Sequence, residues 1–172
     1  MIRVIGCGNP EAGDDAVGLE VVRRVRDLLG GVADVEVEFA VTGARALDLM
    51  LGADAMVVVD AVRTPGGERL PGTLIRVDVG PDGLPVEIAS CLSSHGLGLA
   101  EVFGVGAAIG SSPRIVFVGV EALEMVLGHA LSPAVLSAVP ALVEMVLSEV
   151  HRLLAGEIAV GQEAHEALGG RR

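Results

Sequence analysis

With 172 residues, 51% of them hydrophobic, the chain has enough material for one domain with a sizeable core. Phe39, Phe103 and Phe117 are its only aromatic residues, so Val, Leu, Ala and Ile must build that core. Twelve basic against twenty-three acidic residues, a net charge of -11, argue against nucleic-acid and anionic-membrane partners, which need a basic surface.

Mean hydropathy is +0.62, yet no uninterrupted apolar run reaches the length of a membrane span. No basic stretch followed by an apolar one opens the chain, and two cysteines, Cys7 and Cys91, are too few for a disulfide framework or a structural zinc site. The expectation is a cytoplasmic monomer.

The first stretch, residues 2–18, organises the rest. Ile2, Val4 and Ile5 predict a buried strand, and Gly6, Gly8, Asn9-Pro10 and Gly13 break it into a loop. Asp14-Asp15 follows, and then Val17, Val21, Val25, Leu28 and Leu29 recur at helical spacing. An Asp at a helix start caps free N–H groups and suits the positive end of the dipole. One of the two Asp residues is expected to do that; two carboxylates plus Glu11 exceed what a cap needs. Gly6-Cys7-Gly8 also invites a dinucleotide reading, but position 11 is Glu where the third glycine belongs. Glu11, Asp14 and Asp15 would further repel a pyrophosphate, so the loop suits a cation better.

Gly30-Gly31 closes the first helix, and residues 35–40 (VEVEFA) form a second strand. After the turn Val41-Thr42-Gly43, residues 44–51 predict a short helix. The apolar run at 55–59 has the character of a central parallel strand, ended by Asp60. Residues 63–71 form a Pro/Gly loop, and 73–79 a strand whose alternation places it at an edge. Residues 80–94 are irregular, 97–105 a glycine-interrupted helix, and 114–120 (RIVFVGV) a fifth strand. Ser132-Pro133 opens a helix to about Leu154, with Pro140 expected to kink it or mark its true start. The chain divides into a domain at 1–155 and a tail at 156–172 too poor in apolar residues to pack. Alternating strands and helices predict a single three-layer α/β domain. Its sheet has about five mostly parallel strands, one edge strand free to run antiparallel, and helices on both faces.

Ligands of open parallel sheets bind outside the carboxyl ends of the strands. That rule selects Asp15 after the first strand, Asp60 at the third, and His95 in the segment after the fourth. Each has a structural alternative: Asp60 a cap at the strand exit, His95 a helix-start histidine bonded to backbone. Two carboxylates and an imidazole converging there would make an open N/O divalent site, although their spacing is not a compact metal motif. Cys7 could act as a nucleophile with His95, against a small buried thiol, which is the preferred reading.

Three separated motifs carry a resemblance: Gly8-Asn9-Pro10 with Gly13-Asp14-Asp15-Ala16-Val17-Gly18, then Val59-Asp60-Ala61, then Ser94-His95-Gly96-Leu97-Gly98-Leu99. Together they resemble the hydrogenase maturation proteases, endopeptidases that trim the C-terminus of the [NiFe]-hydrogenase large subunit. Thr42-Gly43 is similar to that family's substrate-facing loop, and Val118-Gly119-Val120-Glu121 and Leu131-Ser132-Pro133 to its C-terminal landmarks. The resemblance implies a peptidase whose Asp15, Asp60 and His95 are both catalytic and nickel-recognising, with the nickel supplied by a large-subunit precursor. Such a site could orient the scissile carbonyl, polarise it or activate water. It leaves open a nickel-sensing chaperone without hydrolysis on the same fold and, further off, a nucleotide-binding domain. Residues 122–130 depart from the family pattern, and His129 among them is read as a surface residue.

Overall fold

In the computed structural model, residues 1–80, 83–85, 88 and 98–156 are described. The strands are β1 (Ile2–Cys7), β2 (Val35–Ala40), β3 (Ala55–Val62), β4 (Leu74–Val79) and β5 (Arg114–Glu121), in the order β2-β1-β3-β5-β4. β1 pairs in parallel with β2 and β3, and β3 with β5, whereas β4 runs antiparallel to β5 at the edge. The parallel strands at the centre are the ones with continuous apolar sequence, because both of their faces are covered.

Four helices are described: α1 (Val17–Leu29), α2 (Gly43–Met50), α3 (Leu99–Ala108) and α4 (Pro133–Leu154). Val57, Val59 and Ala61 of β3 pack with α1 and α4, and Met56, Val58 and Val62 with α2 and α3. Alternation along the strand thus fills two cores, one on each face, and makes three layers. α4 is long and apolar enough to cross a membrane, with a mean hydropathy of 1.5 over its best window. Its stripe of Val135, Val139, Leu142, Val146 and Val150 is buried against α1 and the sheet. Near its end Glu149, 5% exposed, accepts from Arg76 Nε of β4 at 2.7 Å and from Arg152 at 2.8 Å, tying the helix to the edge strand.

Several boundaries differ from the sequence reading. β3 does not stop at Asp60 but runs to Val62, since Asp60, Ala61 and Val62 remain paired with Gly119, Val120 and Glu121 of β5. α4 starts at Pro133, where the Ser132 side chain accepts from Val135 N, and continues through Pro140 as one helix. α3 lies two to three residues later than its glycine-interrupted pattern suggested. The division at residue 155 and the tail fall largely outside the described residues; α4 itself ends at Leu154, with Ala155 as its C-cap.

Candidate active site

Gly8, with φ of 124°, turns the chain away from β1 in a conformation only glycine adopts easily. Asn9 then steadies the loop twice: its Oδ1 accepts from Glu11 N at 3.0 Å, and its own N–H donates to Asp15 Oδ2 at 3.0 Å. A single 3-10 turn, Gly13–Ala16, leads into α1 and buries Asp14 and Asp15 completely or nearly so.

The two neighbouring carboxylates do different work, and neither stands at an N-cap, those positions being Ala12 and Ala16. Asp14 reaches across the molecule to residues 109–118 positions further on. Its Oδ1 accepts from Ser132 N at 2.6 Å, and its Oδ2 from Leu123 N, Glu124 N and Ser132 Oγ at 2.8, 3.2 and 2.9 Å. It is therefore a clasp between the glycine loop and the segment joining β5 to α4. The cap reading of the Asp pair fails because Asp14's donors lie outside its own helix, a partnership no local pattern reveals. The one sequence signal was negative: two acids where a cap needs one.

Asp15 faces the other way, into a cleft of about 320 Å3 that also receives Cys7, Thr42, Gly43 and Asp60. Period two puts Asp60 on the same face of β3 as Val58 and Val62. Its Oδ1 accepts from Ala61 N at 2.8 Å, and only 6% of it is exposed. Burial first, and the charge of Asp15 second, push its carboxyl up to about 8, against the pull of the Ala61 N–H. Around neutral pH Asp60 therefore keeps its proton. A carboxylic acid so placed can give up and take back a proton, and an arriving divalent cation would displace the one it holds.

Cys7 is 5% exposed, and its thiol is raised by burial and then by Asp60 and Asp15. It stays protonated, which removes it as a nucleophile and agrees with the packed-thiol reading. Thr42, the N-cap of α2, accepts from Arg45 N at 3.2 Å and lines the cleft with Gly43. Two of the three residues of the predicted constellation thus meet. The third, His95, lies outside the described residues; Gly98 and Leu99, just after it in sequence, line the same cleft. Among the described residues no group of three or more His, Cys, Asp or Glu is arranged to hold a metal. His129 is half exposed, with Nδ1 at 2.9 Å from Glu124 Oε1, a surface position as expected.

The hydrogenase maturation protease (HycI) family model matches residues 36–149, about two thirds of the chain. The chain belongs to the hydrogenase maturation protease family. It is similar in structure to the hydrogenase maturating endopeptidase HybD from E. coli, with 25% identity, a TM-score of 0.70, and coverage of 88% of this chain and 93% of that one. It is also similar to a hydrogenase 2 maturation peptidase from Thaumarchaeota archaeon SCGC_AB-539-E09, at 26% identity and a TM-score of 0.57 over 87% and 97% of the two chains. The [NiFe] hydrogenase maturation protease HycI from Thermococcus kodakarensis KOD1, 24% identical with a TM-score of 0.65 over 87% and 92%, shares the fold. No functionally curated protein sequence matches the chain.

In this member of the family the glycines serve packing. A Cβ on Gly18 would overlap the carbonyl oxygens of Cys7 and Val59, and one on Gly6 that of Gly18. The glycines let α1 lie directly on β1 and β3, which brings Asp15 beside Asp60. A pyrophosphate loop would use them to approach a ligand instead.

Proposed function

We propose that this protease removes the C-terminal extension of a nickel-loaded [NiFe]-hydrogenase large-subunit precursor, recognising the precursor's nickel through Asp15, Asp60 and His95. The observation that carries the reading is the buried Asp15–Asp60 pair, in which burial first and the charge of Asp15 second lift Asp60 to about 8. Two buried acids that repel each other are stabilised by a cation brought between them, so the pair is better suited to a nickel-bearing substrate than to the empty cleft. Nickel arrives with the substrate; the protein holds no resident cofactor in this reading. Thr42 and Gly43 flank the path by which the precursor chain enters.

Nickel held there by Asp15, Asp60 and His95 would polarise a nearby scissile carbonyl or a water. Asp60, relieved of its proton, is then the residue placed to accept one. The test is incubation of the purified protein with nickel-loaded and nickel-free precursor, followed by mass measurement of both. A mass loss at the C-terminus confined to the nickel-loaded form is the expected result. An unaltered precursor that binds the protein only when loaded would mark a nickel-sensing chaperone instead.

A further inference from the structure

A second cleft, of about 400 Å3, opens at the same end of the sheet. It is lined by the β3–β4 loop, including Arg63, Thr64, Arg69 and Leu70, and by Glu121 and Leu123 at the end of β5. The two clefts flank β3: the first spans the ends of β2, β1 and β3, the second those of β3, β5 and β4. Arg63 stands three residues past Asp60, so an extended chain covers the gap in about 10 Å.

The charges in this second cleft are unusual for so acidic a protein. Arg3, Arg23, Arg24, Arg45, Arg76 and Arg152 each ion-pair with a carboxylate, and Arg26 is taken up by the Val37 carbonyl and the Phe39 ring. Arg63 is exposed and has neither hydrogen bond nor ion pair among the described residues. Arg69, partly buried, donates among the described residues only to Thr64 Oγ1, at 2.8 Å. The acid that lines the cleft, Glu121, is 2% exposed and already satisfied, accepting from Thr64 N and Thr64 Oγ1 at 2.7 Å each. The relay Arg69–Thr64–Glu121 holds the Arg69 guanidinium in the cleft without neutralising it by direct contact. Glu68, in the same loop, is exposed and outside the lining. Beside the arginines Leu70 is 79% and Leu123 51% exposed.

We propose that this cleft binds the C-terminal extension of the precursor, with Arg63 and Arg69 receiving a carboxylate of the extension and Leu70 and Leu123 its apolar side chains. This rests on the processing reading above. The extension, rather than the folded body, is the occupant because it is the part that must lead away from Asp60 along the strand ends, and because its free end always carries a carboxylate. Guanidiniums suit that group through paired, charge-assisted hydrogen bonds.

The test uses full-length protein and the double variant Arg63→Gln, Arg69→Gln, which breaks only the Thr64 contact. Binding of a labelled synthetic extension peptide is measured by fluorescence anisotropy for three forms: free acid, C-terminal amide, and acid with its Asp and Glu side chains neutralised. The expected result is that at least one neutralised form binds wild type about fivefold or more weakly, and that the double variant no longer discriminates. The form that weakens says whether the terminal or a side-chain carboxylate is read. In parallel, processing of nickel-loaded precursor by the double variant should show KM raised about tenfold with a much smaller change in kcat. Equal binding of all three peptides, or an unchanged KM, overturns the proposal. Failure of wild type to cleave the precursor at all would instead overturn the processing reading, since the peptide discrimination is measured without cleavage.

Discussion

Asp14 and Asp15 are adjacent, both buried and chemically identical, yet one holds the fold and the other faces the cleft. Four donors converge on Asp14, and an amide in its place would offer one acceptor oxygen instead of two. Asp14→Asn is expected to lose about 2 kcal/mol or more in urea unfolding, because the buried N–H of Ser132 and the part-buried ones of residues 123 and 124 are left poorly paired. Asp60→Asn should behave oppositely. Folded Asp60 keeps its proton up to about pH 8, whereas the unfolded group releases it near pH 4. Between those values the folded state binds more protons, so wild-type stability falls as pH rises through the window. Melting curves should show Asp60→Asn within about 1–2 kcal/mol of wild type at pH 5 and more stable by at least about 1 kcal/mol at pH 9. The same variant should leave nickel-loaded precursor uncleaved, since an amide oxygen is a poor ligand for a divalent cation. Cleavage at the wild-type rate would remove Asp60 from the recognition of nickel.

At the scale of elements, the decisive contact is α1 on the centre of the sheet. Gly18 is the third residue after Asp15, and its hydrogen side lies against the backbones of β1 and β3. Gly18→Ala is predicted to push the helix off the sheet and to lower stability by about 3 kcal/mol or more, read from the denaturation midpoint. Because that movement also separates Asp15 from Asp60, processing should fall further than the loss of folded protein explains. Helix propensity predicts the reverse sign, as Ala favours helices over Gly by about 1 kcal/mol. The experiment therefore separates the packing role of this glycine from its local preference.

At the scale of the molecule, each face of the sheet carries an apolar core, and α4 covers one of them as far as Leu154. Removing residues 157–172 is expected to leave the melting temperature within about 2–3 °C and processing intact; a larger loss would show that the tail docks. The strands, the helices and the edge position of β4 were legible in the sequence because period and apolar run length respond to burial that is local to each element, whereas the antiparallel direction of β4 was left open. That Asp15 and Asp60 come to one cleft was legible too, since one follows β1 and the other lies near the end of β3, where the topology leaves a crevice. What each acid does was not. Asp14 finds its donors more than a hundred residues away, β3 runs past Asp60 because β5 is there to pair with it, and Arg63 and Arg69 are distinguished by having no direct carboxylate partner among the described residues. Those are properties of neighbours brought together by the fold, and residue spacing along the chain carries no record of which distant groups will become neighbours.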